Sequence, residues 1–461
     1  MPEVLAAPQV ITGDYTITDG AVVIGDRTVD WAGPSAALPS EYVALPRTDY
    51  PDSTIMPGLI DSHVHLGLDG GPDPAARMRR ETDGQQLVLM LHNARELLGV
   101  GVTTARDLGA RAYLDVVVRD AIAGGLARGP RMVVATRPIT VTGGHCWFMG
   151  AEADSEDDLR RMVRTHHKHG ADLIKVMSTG GFMTTGSAPW HAQFTSAQLG
   201  VIVEEARRVE KRVAAHAHGI EGIRRAVEAG VSTLEHCSFV TETNERQFSE
   251  PLAARIAEQN IFVCPTINAN APYYAELADI VVGEHVKAMH EMGVRIIAGT
   301  DAGIDNTPHH QYVGALVYLL TLGFTPGEVL AMATTEAAAA LGVDAITGRL
   351  APGYDADIIV VDGDPRTDIA VLGKLRRVIA RGRDYVPDSG RFDVSAPGTP
   401  FASAEHSVDL RLIIESNRRR EPEEFASGRA PEMFTPSARA APAVDDVVQV
   451  LPVDIDTAES R

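Results

Sequence analysis

Cysteine is scarce in this chain, with only Cys146, Cys237 and Cys264 among 461 residues. Three scattered thiols cannot make a disulfide framework, which fits a reducing, cytoplasmic setting. Lys/Arg-rich runs are missing too; the nearest, "RRR" at 418–420, is followed at once by a glutamate. With 62 acidic against 42 basic residues and a net charge of −20, neither nucleic acid nor an anionic membrane is expected as a partner. The start, "MPEVLAAPQV", has no basic segment followed by an apolar core, so it does not read as a secretory signal. No apolar run is long enough to span a bilayer. The expected partners are a small-molecule substrate and further copies of the chain in a homo-oligomer.

What the chain does have is an ordinary globular balance, 44% hydrophobic and 23% charged, able to bury a large core. Residues 8–56 read as short strands punctuated by Gly-Asp and Asp-Gly turns, and a second β stretch returns in "DADIIVVDGDP" and "LRRVIARGRDYV". Between them, eight short apolar runs alternate with stretches of helical spacing such as "TSAQLGVIVEEARRVEK". That order predicts an α/β fold: a (β/α)8 TIM barrel over 58–345, with a small β-sandwich domain built from both ends of the chain, 1–57 plus 346–395. A doubly wound sheet would want a glycine-rich phosphate turn after its first strand, and "GLDGGPDP" does not supply one. Beyond residue 395 the composition shifts to Pro, Ala, Ser and charge, so 396–461 reads as a C-terminal extension, loose or partly helical.

The chemistry concentrates in the apolar runs. "MPGLIDSHVHLGLDG", residues 56–70, places His63 and His65 two apart on a strand, hence on one side of it. Taken alone such a pair is more often satisfied by hydrogen bonds than by a metal. Lys175 lies inside "DLIKVMS" on what reads as a buried strand, where an ammonium needs an explanation. Either it pairs with a carboxylate, or CO2 carbamylates it into an acid able to bridge two divalent metals. His216 and His218 fall in "VAAHAHG", His236 in "TLEHCS" and Asp301 in "IIAGTDAG". All these positions read as strand ends, where barrel enzymes place their sites, and a random scatter of sixteen histidines would not select them. Imidazole with carboxylate suits zinc, with cobalt or manganese as alternatives; two such ions, bridged, would acidify a water and polarise a carbonyl. Asp301 would take the water's proton and return it to the leaving amine. Cys237, next to His236, should face the other way and pack.

Together, "PGLIDSHVH", "GVTTARDLG", "DLIKVMSTGG", "VAAHAHGIEGIRRAVEAGVSTLEH", "AGTDAG" and "LAPGYDADIIVVDGDP" resemble the amidohydrolase superfamily, in the branch of imidazolonepropionase-like and Xaa-Pro dipeptidase-like enzymes. The resemblance runs from about residue 8 to 385. It implies a binuclear divalent-metal hydrolase with His63, His65 and Asp301 on one metal, carbamylated Lys175 as bridge, and His216 and His236 on the other. It favours His216 over His218 as ligand and leaves His218 beside the substrate. A non-catalytic ligand-binding barrel is the alternative of another class.

Substrate clues come from loops. His145 in "TVTGGHCWFMG" follows the third strand, where similar enzymes carry a histidine near the scissile group, though a surface position is equally open. The loops 141–150 and 178–194 carry Trp147, Phe148, Phe182, Met183 and Trp190 without Arg or Lys. Tyr273 and Tyr274, after the seventh strand, offer phenolic hydrogen bonds or packing. The expectation is a neutral, apolar small molecule cleaved at an amide, urea or carbamate C–N bond. In this respect the chain resembles phenylurea and molinate hydrolases; an Xaa-Pro-type dipeptidase or cyclic-amide hydrolase is the alternative.

Overall fold

Helix and strand signals in the sequence resolve locally through capping and alternation. In the computed structural model, which describes residues 2–243, 245–272 and 282–386, Thr195 caps the helix Ser196–Arg208 through a capping box with Gln198. The same device at Thr82, with Gln85, starts the helix Asp83–Gly99. A separate helix Pro74–Arg80 precedes it with Asp73 as its cap, although helical spacing of apolar residues runs across both. Residues 387–461 lie outside the described residues, so the predicted C-terminal extension does too. Among the described residues no helix is long and apolar enough to cross a membrane.

The architecture is mixed α/β. Strands from the two ends of the chain join one eight-stranded sheet, in which Ile358–Asp362 sits between Leu375–Ala380 and Ser53–Pro57. Alternation buries both faces of that central strand: Ile358 and Val360 enter a cluster with Leu5, Val22 and Ile55, while Ile359 and Val361 join the main core. This is how the terminal sheet docks onto the centre of the chain.

The centre carries eight further strands, all parallel within their sheets. Leu59–Val64, Val102–Asp107 and Arg131–Val134 form a three-stranded sheet. Ile174–Met177, Val213–Gly219, Thr233–Val240, Phe262–Cys264 and Arg295–Ile296 form a five-stranded one. The ladder is not continuous around all eight. The edges of the two sheets meet through single parallel bridges, Ile139 to Val176 on one side and Val64 to Ala302 on the other. Regular strands end sooner than their apolar runs suggest. The last is only Arg295–Ile296, so Asp301 stands beyond it, held by its N–H to the His63 carbonyl at 2.8 Å.

Gly58 is the joint between the terminal sheet and the first parallel strand. Its N–H donates to the Asp357 carbonyl at 2.9 Å, and a Cβ there would come within 2.1 Å of Thr103 Oγ1. Gly58→Ala is expected to cost about 1–3 kcal/mol by overpacking, read as a lower denaturation midpoint; an unchanged midpoint would mean that the joint tolerates a side chain.

Candidate active site

His63, on the strand Leu59–Val64, and His65, just beyond it, turn the same way, as a two-residue spacing requires. Their Nε2 atoms converge on one oxygen, Asp301 Oδ1, at 3.2 and 3.1 Å. His236, from Thr233–Val240, brings its ring centroid to 5.4 Å from that of His63. His216 and His218, from Val213–Gly219, complete the group, with centroids 4.5 and 4.3 Å from His236. Two ligand-like triads result, His216–His218–His236 and His63–His236–Asp301, their donor atoms within 4.8 Å of one another. Lys175 is 1% exposed, and its charge acts on Glu235 and Asp301 and on His145, His216, His218 and His236.

Hydrogen bonds to the outer ring nitrogens decide which nitrogen faces inward. The His63 Nδ1–H donates to Glu235 Oε2 at 2.9 Å, and His65 Nδ1 faces the Gly109 carbonyl at 3.2 Å. Thr266 gives its own hydroxyl proton to the Pro265 carbonyl, so it accepts from His236 Nδ1 at 2.7 Å. All three therefore aim a bare Nε2 at the centre. His216 is the reverse: its Nε2–H donates to the Gly180 carbonyl at 2.9 Å, leaving Nδ1 bare.

Electrostatics follow from this packing. Burial, reinforced by neighbouring charges, holds His216 and His236 well below the ordinary imidazole value, and brings His145 and His218 to about 3. All four are neutral donors of a lone pair at pH 7. Burial also lowers Lys175 from the ordinary amine value. For Asp301 burial opposes ionisation, yet the imidazoles of His63 and His65 beside it keep the carboxyl well below its usual range. The Oδ1 atom is buried with no hydrogen bond of good geometry. Two bare imidazole nitrogens set against an ionised oxygen at this range repel unless a proton or a cation lies between them. The donor set therefore fits a divalent ion.

Other expected residues fall around this core. His145 is buried, its ring 4.6 Å from that of His216. It packs against Gly181, where a Cβ would come within 2.5 Å of the imidazole. Phe182, half exposed at 50%, sets its ring edge-on at 5.0 Å from His218. Trp190 meets Gly219 through its backbone, and its ring lies 5.9 Å from that of His191. Tyr273 and Tyr274 lie outside the described residues. Cys237 packs in the main apolar core rather than with the imidazoles.

Three features escaped the sequence reading. Arg106 is wholly buried and donates to Glu235 Oε1 at 2.9 Å, to the Ser62 carbonyl at 2.6 Å and to Thr233 Oγ1 at 3.1 Å. Burial works against the Glu235 charge, but Arg106 and His63 bring its carboxyl down to about 2. A charged residue inside an apolar strand, the signal that drew attention to Lys175, was equally present in "VTTARD" and "TLEH". Asp61 is the second feature: it accepts from Thr300 Oγ1 at 2.7 Å and from the His63 N–H at 3.2 Å, and burial pushes it up to about 7. Third, His236, Thr266 and Asp301 have φ of 67°, 53° and 61°. Strain of this kind gathers where side chains must be aimed.

Inward-facing imidazoles and a carboxylate, each steered by a buried partner, define a hydrolytic enzyme of the class acting on carbon–nitrogen bonds. The chain belongs to the amidohydrolase family, whose pattern matches residues 54–383. That family generally uses divalent metal. Ochratoxinase of Aspergillus niger is 29% identical over 413 residues, 81% of this chain and 84% of that one. Imidazolonepropionase of a Ruegeria species is 26% identical over 78% of this chain and 90% of its own length. Among solved structures, an Xaa-Pro dipeptidase with bound methionine superposes with a TM-score of 0.75 at 27% identity, covering 84% of this chain and all of that one. Phenylurea hydrolase B, at 19% identity and a TM-score of 0.74 over 88% of this chain and all of its own, shares the fold.

The Arg106–Glu235 pair generates a stability prediction. Arg106→Met strands an ionised carboxylate in the interior and is expected to cost about 3–5 kcal/mol, measured by chemical denaturation. A midpoint equal to the parent's would show that Glu235 needs no counter-charge.

Proposed function

We propose that this chain hydrolyses an amide-type C–N bond at a carbonyl, using two divalent ions held by its inward-facing side chains. In this reading His63 and His65 through Nε2, with Asp301, hold one ion. His216 through Nδ1 and His236 through Nε2 would hold the other, and Lys175, carbamylated by CO2, would supply a further carboxylate-type donor. The observation that carries it is the convergence of bare imidazole nitrogens on the ionised, orphaned Asp301 Oδ1. Zinc suits this donor set best, then cobalt or manganese. The ions would supply Lewis-acid polarisation of the carbonyl and acidify a water to near neutrality.

The chain's own residues do the rest. Asp301 takes the proton of the attacking water on Oδ2 and hands it to the leaving nitrogen. Neutral His145 and His218 offer hydrogen bonds to the substrate flanking the metals. We read the two parallel sheets as one eight-stranded barrel with bridged seams within 58–345, served by a β domain of 1–57 and 346–395, of which residue 1 and residues 387–395 lie outside the described residues. The surroundings of the site support a substrate with an aromatic or alkyl group: Phe182, 50% exposed, sets its ring 5.0 Å from that of His218. A phenylurea- or thiocarbamate-type bond is one candidate. The likeness to the Xaa-Pro dipeptidase at 27% identity favours a dipeptide or N-acyl amino acid as the second.

Metal analysis and a hydrolysis panel of dipeptides, anilides, ureas and carbamates test this reading. One to two divalent ions per chain are expected from the donor count, with activity lost on chelation and regained with zinc. Lys175→Ala should abolish turnover, and full activity without added carboxylate would remove the carbamate from the scheme. Asp301→Asn should keep the fold and lose about 10²- to 10⁴-fold in kcat as the proton acceptor goes. Glu235→Gln should weaken zinc binding about 10- to 100-fold by loosening His63, read by competition with a chelating dye; an unaltered affinity would make Glu235 purely structural. A metal-loaded enzyme that cleaves no member of the panel overturns the function.

A further inference from the structure

The segment after the strand Thr233–Val240 doubles back on itself. Val240 bridges to Arg246 in antiparallel fashion, and the Gln247 N–H donates to the Phe239 carbonyl at 2.9 Å. Phe248 pins the turn by stacking on His285, with centroids 5.0 Å apart, while Phe239 meets the same imidazole edge-on at 6.2 Å. Val240 also pairs in register with Gly219, the residue that follows His218. The hairpin therefore seats Arg246 at the rim of the candidate site, beside the strand end that carries His218.

The Arg246 guanidinium is half-buried, and among the described residues it has no hydrogen-bond or ion-pair partner. The carboxylate whose field reaches it, Glu284, lies 3.3 Å from His285 Nε2 instead. Its charge also acts on the His218 imidazole. A cation at a partly covered rim with no counter-ion of its own is open to an anionic partner, and Phe182, edge-on to His218, presents apolar surface at the same strand end. A planar guanidinium is the side chain best matched to a carboxylate, through two parallel N–H···O bonds. We propose that Arg246 is a specificity-determining residue that anchors a carboxylate carried by the substrate. The inference rests on the amide-hydrolase reading above. It narrows that reading to substrates such as N-acyl amino acids or dipeptides with a free acid, against the neutral molecule expected from the loops 141–150 and 178–194. Those loops indeed lack a cation; the third loop supplies it.

The test pairs an acid with its amide in the zinc-loaded full chain: N-benzoyl-L-phenylalanine against N-benzoyl-L-phenylalaninamide as substrates, and L-phenylalanine against L-phenylalaninamide as products titrated by calorimetry. The acid of each pair is expected to be favoured by about tenfold or more, the size of a charge-assisted hydrogen bond. Arg246→Gln should erase that ratio and Arg246→Lys should keep part of it. A wild-type enzyme that prefers the amides, or a ratio unmoved in Arg246→Gln, overturns the anchor while leaving the hydrolase reading intact. If neither substrate is cleaved the hydrolase reading is weakened, and product binding judges the anchor alone: equal affinities for phenylalanine and its amide sink it.

Discussion

Arg106 and Glu235 face each other at 2.9 Å with the strands of the interior gathered around them. Arg106 belongs to Val102–Asp107, yet its guanidinium also reaches the Ser62 carbonyl of the neighbouring strand and Thr233 Oγ1 across the centre. Glu235 uses its second oxygen to take the His63 Nδ1–H. An ion pair at this depth gives back much of its attraction as lost hydration, so its net stabilisation is small. What it provides is direction: three strands must keep register for these four hydrogen bonds to be met, and His63 is left one tautomer with its bare nitrogen facing Asp301. The interior of such a fold is ordinarily filled by layers of branched apolar side chains. Here part of that filling is a polar lattice, and the ligand-like imidazoles stand on it.

The same logic explains where the backbone departs from regular strand. Left-handed φ at His236, Cys237 and Phe239 kinks Thr233–Val240 while it is still paired to its neighbour, turning His236 inward although Glu235, the residue before it, also serves the interior. A strict alternation would send one of the two outward. Asp301, also left-handed, is delivered by an irregular stretch that Gly299 lets approach closely: a Cβ there would lie 2.5 Å from Cys264 Sγ and 3.1 Å from His63 Cβ. Side chains are thus aimed at one point from positions that ideal geometry would not allow.

This bears on what the residues alone disclose. The eight apolar runs, the HxH pair and the HAH pair are periodic signals, and the parallel strands fall on them. So do Lys175 and His236, because a titratable residue in an apolar run stands out against its neighbours. Arg106 and Glu235 carry that signal as well, but they lie on separate strands and nothing in the sequence pairs them until the fold sets them 2.9 Å apart. Asp301 was assigned to a strand that in fact stops at Ile296, since "RIIAGTDAG" has the composition of a strand throughout and only the tertiary approach of His63 shows where regular pairing ends. Helix breaks at Thr82 were legible in the T-x-x-Q spacing but hidden by the apolar period running across them. Arg246 is the instructive case. Nothing in "TETNERQFSE" distinguishes it from a solvated loop until the hairpin folds it back against Val240.

Chemistry and selectivity consequently reside in different parts of the chain. The imidazoles and Asp301 come from strands and strand ends whose positions are fixed by ladders, buried partners and glycine contacts, so a change there alters the reaction or the fold. His145, Phe182, Trp190 and Arg246 come from the loops that leave those strands, each held by a few local contacts. Chains that share the framework at 19–29% identity can therefore keep one set of inward donors and differ in what reaches them. If Arg246 anchors the substrate as proposed, the decisive contrast is between two loops that present aromatic side chains without Arg or Lys and a third that brings a half-buried guanidinium to the rim. Apolar surface sorts substrates only weakly by shape, at about 1–3 kcal/mol per methylene. A guanidinium left without a counter-ion discriminates more sharply, because any substrate that fails to supply one must bury the charge unmet.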